Sequence, residues 1–324
     1  MIYENLEAIY KMYDSFLIDV YGVLYDGKKL YHGVLDILKK IKDSGRKIII
    51  LSNTTLISKI CKIQYAEFGL IEGVHYDQFM SSGEVFKRMI PDIFTPSARY
   101  YQIFQRNLLI FEGSNLVEVE KIEDADFVYV GIVFANGQRY PVDKLRTKSG
   151  AEIRIDELLK VSVDEIDGFD DIATILKKCL ENQKKLVISN PDIFAMDSID
   201  GATRPTLCQG GIGEFYEQMG GEVLYFGKPY QPIYSFVEQY LTGSEETAMI
   251  GDTPWTDILG GNMAGHSTIL TLTGVANCYL SEMSPELGID HKIERLIEEV
   301  SAIMTHKSMR HFSKRPTQII KSMA

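Results

Sequence analysis

The sequence predicts an α/β protein, a Rossmann-like doubly wound parallel sheet core with an inserted α/β domain. Three observations lead there. Short apolar runs alternate with helical patterns near both ends of the chain. Those runs lack the polar alternation of a half-wet strand, so they suit a parallel sheet covered on both faces. The middle of the chain breaks the rhythm, as an insertion does. At 324 residues the chain is long enough for one large domain or two linked ones.

The elements follow in order. Ser15 to Val20 reads as a buried strand, and Val34, Leu35, Leu38 and Ile41 fall at helical spacing up to Gly45. Lys47 to Leu51 is a second buried strand, and Leu56 to Phe68 is a helix stopped by Gly69. In the middle, Phe127 to Val133 and Lys185 to Ser189 are strands. Between them lie a polar stretch (136–155) and a helix over 171–180. The opening rhythm then returns. Helices are expected at 211–219, 233–241 and 257–264, with strands at 222–226, 247–250 and 267–272. Residues 1–83 and 201–300 are therefore expected to form the sheet domain, 84–200 the inserted α/β domain, and 301–324 a basic tail.

Composition excludes some classes. A net charge of −11 argues against nucleic-acid binding, which needs a basic face. The four cysteines are scattered, with no metal-knuckle or redox spacing, and fit a reducing compartment. No apolar run approaches the ~20 residues of a membrane helix, and the first residues lack a signal-peptide pattern. The expectation is a cytoplasmic protein with no membrane segment. Residues 305–324 carry Lys307, Arg310, Lys314, Arg315 and Lys321 and no acid. They read as a solvated tail pairing with the acidic body, or as a contact for a partner or an anionic surface.

Four short segments carry chemistry, each just past an expected strand end, where doubly wound sheets build their sites. Asp19, followed by a Gly22 turn, would serve as a nucleophile on phosphorus and a hard metal ligand. Its plain alternative is a turn or capping Asp. Ser52-Asn53-Thr54 would donate to phosphate oxygens beside a helix N-terminus, or simply cap that helix. Lys228, between Gly227 and Pro229, would neutralise a carboxylate and a phosphate, or sit exposed in a turn. In Gly251-Asp252-Thr253-Pro254-Trp255-Thr256-Asp257, the two carboxylates would hold Mg²⁺, one of them indirectly. This spacing is the most specific of the four. Trp255 is the only tryptophan, and partial burial against the loop is expected of it.

Together, in this order and spacing, these segments resemble the four motifs of the haloacid dehalogenase-like superfamily. Ser189-Asn190-Pro191-Asp192 and the run from Gly220 to Pro229 look like one subfamily, the 4-nitrophenyl phosphatase, pyridoxal phosphatase and N-acetylglucosamine-phosphate phosphatase relatives. That subfamily inserts a large α/β cap between the second and third motifs. The resemblance covers about residues 14–275. It implies that Asp19 attacks phosphorus and becomes an aspartyl-phosphate. It implies Mg²⁺ held by Asp19, the backbone carbonyl of Tyr21, and Asp252, with Asp257 in support. Ser52, Asn53 and Lys228 would hold the phosphate, and Asp192 would face the substrate from the cap. The implied substrate is a small phosphorylated metabolite such as a sugar phosphate, and a homodimer through the cap is expected.

One position departs from the motif. The family's phosphatases usually carry a second aspartate two residues after the nucleophile, which protonates the leaving group and then activates water. Here that residue is Tyr21. A phenol with pKa near ~10 is a poor base at neutral pH. The leading reading is a slower phosphatase. The alternatives are a silent member that binds phosphorylated ligands or a protein partner, and a phosphotransferase. General acid–base help is worth roughly 10²–10⁴-fold, and a good leaving group needs little of it. The chain is therefore expected to favour 4-nitrophenyl phosphate over alkyl phosphates more strongly than a relative with both aspartates does. Steady-state rates showing equal or better alkyl turnover would contradict this.

Overall fold

The computed structural model describes residues 2–106, 108–135, 138–199, 201–243 and 246–324. The chain divides into two compact units, one of residues 1–52, 58–81 and 228–324, the other of residues 53–57 and 82–227.

The first unit is built on seven parallel strands: β1 (Ile2–Asn5), β2 (Ser15–Ile18), β3 (Lys47–Ser52), β4 (Gln78–Ser81), β5 (Thr247–Gly251), β6 (Ser267–Thr271) and β7 (Gln318–Ser322). Their order across the sheet is β1-β7-β6-β5-β2-β3-β4. β2 and β5 lie side by side at its centre and are fully buried. This is the two-sided burial that their unbroken apolar sequences require. The Val34–Asp43 helix turns Val34, Ile37, Leu38 and Ile41 inward, and the polar residues between them face out. From β2 the chain winds one way through β3 and β4, and later the other way through β5, β6 and β7. The β2/β5 junction is thus the switch point, where strand ends leave a crevice for chemistry.

The second unit has its own five-stranded parallel sheet, in the order Val223–Tyr225, Lys185–Ile188, Phe127–Val130, Arg99–Ile103 and Val117–Glu118. Phe86, Tyr100, Phe111, Phe127, Tyr129 and Phe226 form an aromatic core beneath it. An antiparallel hairpin, Phe194–Ile199 with Ala202–Leu207, is added to this sheet unit. Residues 136 and 137, at the start of the expected polar stretch, lie outside the described residues.

Two boundaries differ from the sequence reading. The inserted unit runs to Gly227, not to residue 200. The run 222–226 pairs in parallel with Lys185–Ile188 through the Gln209–Gln218 helix, forming a βαβ crossover within the inserted unit. Residues 301–324 are not a detached tail. β7 sits between β1 and β6, with Ile320 and Met323 buried. The tail's charges pair with the acidic body: Arg315 with Glu294 and Glu298, and Lys321 with Glu4. These pairs are exposed, so they steer more than they stabilise. Among the described residues, no helix is long and apolar enough to cross a membrane.

Because Ile320 has no exposed surface, Ile320→Ala is expected to cost about 2–5 kcal/mol, the usual range for a truncated core aliphatic. The urea unfolding midpoint reads this directly. An unchanged midpoint would mean that the segment lies on the surface.

Candidate active site

Asp19 leaves the carboxyl end of β2, and its N–H donates to the carbonyl of Ile250 on β5 at 3.0 Å. Asp252 follows the end of β5 itself. Two adjacent strands in register thus deliver two carboxylates to the switch point. Asp257 arrives from the short helical turn Pro254–Ile258, which Pro254 helps to start. Oxygens of Asp19, Asp252 and Asp257 lie within 4.8 Å of one another, and all three residues are buried.

Lys228 enters this acidic group with 1 % of its surface exposed. Its ammonium donates to Asp19 Oδ1, to the carbonyl of Leu51 at 2.9 Å, and ion-pairs with Asp257 Oδ1 at 2.8 Å. Two hydrogen bonds and an ion pair offset the cost of burying this ammonium. Gly227 has φ +109, and a Cβ there would lie 2.6 Å from Asn53 Oδ1 and 2.8 Å from Pro191 Cδ. Only glycine fits before the lysine.

Asp257 Oδ2 also accepts the N–H of Thr253 at 3.1 Å, which folds the loop back on itself. Asp252 Oδ1 accepts from the Thr253 hydroxyl at 3.1 Å, and its Oδ2 accepts the N–H of Val275 at 2.6 Å. Burial first, then the charges of Asp257 and Asp19, push the Asp252 carboxyl well above the usual carboxylate range. With all three acids ionised and one ammonium among them, the group carries surplus negative charge. Its donors are all oxygen, the preference of a hard divalent cation.

The sequence reading missed part of this site. Gly22 (φ +80) and Gly274 (φ +53) flank Asp252, and a Cβ on either would fall within about 2 Å of Oδ2 (1.9 and 2.0 Å). Thr273 donates to the Gly22 carbonyl. The Gly274–Glu282 helix begins at this point, so its first N–H groups face the carboxylate. A Thr-Gly pair straight after an apolar strand was the available signal. Burial, reinforced by the nearby Asp252, also raises the pKa of the Tyr31 phenol, which bonds to the Gly274 backbone.

The remaining expected residues are distributed as follows. Ser52 ends β3 and is buried in the first unit. Asn53 and Asp192 belong to the second unit, where the Asn53 amide donates to Asp192 Oδ1 at 2.9 Å. The Tyr21 ring is 38 % exposed and meets Tyr25 edge-on, with centroids 5.2 Å apart. Tyr25 packs in turn on Tyr65 and Phe68. Burial raises the Tyr65 phenol far above its ordinary value, with smaller contributions from Tyr21 and Asp19 among others, so it keeps its proton. Trp255 is more buried than expected, at 4 %, edge-on to Tyr279 with centroids 5.7 Å apart.

Comparison with known proteins adds the following. Residues 16–119 match a family model described as haloacid dehalogenase-like hydrolase, and residues 225–293 match one described as HAD-hydrolase-like. Phosphoglycolate phosphatase 2 of Arabidopsis thaliana is 26 % identical over 283 residues, covering 84 % of this chain and 87 % of its own. A haloacid dehalogenase-like hydrolase from Brucella suis has the same fold, with TM-score 0.69, 21 % identity and 99 % of both chains covered. So does a glycerol phosphate phosphatase from Mycobacterium tuberculosis solved with magnesium, with TM-score 0.60, 18 % identity, and 96 % of this chain and 75 % of that one covered.

The raised carboxyl of Asp252 has a thermodynamic sign. A group protonated more readily when folded stabilises the protein at low pH. That contribution is lost as pH rises from the unfolded carboxylate range through the raised folded value. In chelator, Asp252→Asn is expected to raise the unfolding temperature at pH 7 by a few degrees and to flatten its decline above pH ~4. Trp255 emission follows the transition. A lower midpoint across the whole range would mean that Asp252 is not held as an uncompensated charge.

Proposed function

The chain belongs to the haloacid dehalogenase-like hydrolases, and from that premise we propose that it is a magnesium-dependent phosphatase of small phosphorylated metabolites, such as sugar phosphates, that carries the phosphoryl group on Asp19. The observation behind this reading is the buried group in which Lys228 binds both Asp19 and Asp257 beside Asp252. A purely structural ion pair has no need of two further carboxylates, whereas a phosphoryl site needs a nucleophile, a counter-cation and metal-ready oxygens together.

In this reading Asp19, the carbonyl of Tyr21, and Asp252 would hold Mg²⁺, which when bound offsets charge on the phosphoryl oxygens. The chain's own residues do the rest. Lys228 pairs with Asp19 and aims it, so a carboxylate oxygen attacks phosphorus while the ester oxygen departs with the P–O electron pair. The same ammonium offsets the phosphoryl charge. Asp257 anchors Lys228 and, through the Thr253 N–H, the loop bearing Asp252. Ser52 and Asn53 are read as phosphate ligands, and Asp192 orients the Asn53 amide. Pairing of two copies through the inserted unit belongs to the same reading, with sedimentation as its measure.

A second reading rests on one observation, the tyrosine at position 21. A member without the acid would bind phosphorylated ligands and not turn them over. A phosphatase screen over metabolites in Mg²⁺ separates the two, with Asp19→Asn as the blank. Asp19-dependent phosphate release is expected, abolished by chelator, with Lys228→Met lowering kcat by about 10²–10³-fold. Release that survives Asp19→Asn would overturn the mechanism. Tight beryllium fluoride binding without any turnover would select the binder.

A further inference from the structure

We infer that a second copy of this chain docks on the Ser58–Ala66 helix, the two helices packing antiparallel about a twofold axis at Ile63. The surface belongs to the first unit. The inference goes beyond the phosphatase reading, does not depend on it, and is separate from pairing through the inserted unit.

The helix has one buried side and one bare side. Ser58, Cys61 and Tyr65 turn inward. Lys59, Ile63 and Ala66 are exposed, and so is Glu67, directly after the last helical residue. Their spacing sets Lys59, Ile63 and Glu67 in one outward row. Ile63, at its centre, is 55 % exposed. The loop that follows adds Phe68, Ile71 and Val74, all exposed. Of the eleven large apolar side chains exposed among the described residues, four thus fall within twelve positions. Such an apolar cluster rimmed by charge marks a contact site.

The cluster is held in shape before any partner arrives. Lys62 pairs with Glu72 and ties the helix to the loop. His75 Nδ1 accepts the N–H of Ile71 at 3.1 Å, and the Ile71 carbonyl accepts the N–H groups of Val74 and His75. The Phe68 ring meets Tyr25 with centroids 5.3 Å apart. Docking on a preformed surface loses little conformational entropy.

The charges select the occupant. Among the described residues, neither Lys59 nor Glu67 has an ion-pair partner in its own chain. They lie on opposite sides of Ile63 in the row. Turning a second copy end for end about Ile63 brings Ile63 onto Ile63 and Lys59 of each copy onto Glu67 of the other. That is the self-complementary pattern of an isologous contact. Ala66 is small and lets the helices approach. A membrane surface selects a basic rim, whereas this rim balances Lys59 and Lys62 against Glu67 and Glu72.

Sedimentation velocity of the full chain over a micromolar dilution series tests this, with circular dichroism to confirm folding. The wild type is expected to form pairs that dissociate on dilution. Ile63→Glu should halve the mass of the assembly, from dimer to monomer, or from tetramer to dimer where the inserted unit pairs as well. Lys59→Glu and Glu67→Lys each place two like-charge contacts in every pair, and each should weaken association on the order of tenfold. The double variant Lys59→Glu/Glu67→Lys reverses both ends together and should recover the wild-type affinity. A monomer throughout would refute self-pairing and leave the cluster to a different partner. An assembly unchanged by Ile63→Glu would have its contacts elsewhere and would refute it too. A double variant no tighter than the single ones would overturn the twofold arrangement.

Discussion

The site depends on one buried ammonium. Lys228 contacts two of the three acids, Asp19 and Asp257, and it joins the ends of β2 and β3 to the loop after β5. Removing one partner of such a pair leaves an uncompensated charge in the interior, typically at a cost of 3–5 kcal/mol. The lysine therefore fixes the positions of Asp19 and Asp257. The residue before the lysine, Gly227, sits where no side chain fits.

That arrangement leaves negative charge in excess, which folding alone would not select. The structure tolerates it by surrounding Asp252 with N–H and O–H donors and with two glycines that let backbone approach the carboxylate. Stability is thus traded for a site prepared to receive positive charge.

Much of this was legible in the sequence, because apolar runs and strand-end carboxylates carry strong local signals. β2, β3, β5 and β6 follow from short, mainly apolar segments, and Asp19, Lys228, Asp252 and Asp257 from their places beyond strand ends. The rest was hidden for identifiable reasons. Val223–Tyr225 looks the same whichever sheet it joins, since pairing is a tertiary choice. β7 is only Gln318–Ser322, and the basic residues before it made the whole segment read as tail. The Leu51 carbonyl and the Val275 N–H are backbone groups, and no residue type announces them. The hairpin over 194–207 carries charged and small residues that mask its period.

The position of β7 also bears on how the molecule is made. β1 lies at the sheet edge, and its single strand partner starts at Gln318. On the ribosome, β1 must wait until Gln318–Ser322 emerges before it can pair, and β6 lacks one neighbour until the same segment appears. Such distant pairing slows folding and leaves open strand edges in the nascent chain. Chaperone dependence during synthesis is the natural consequence of a sheet in which β1 is completed by a segment so distant in sequence.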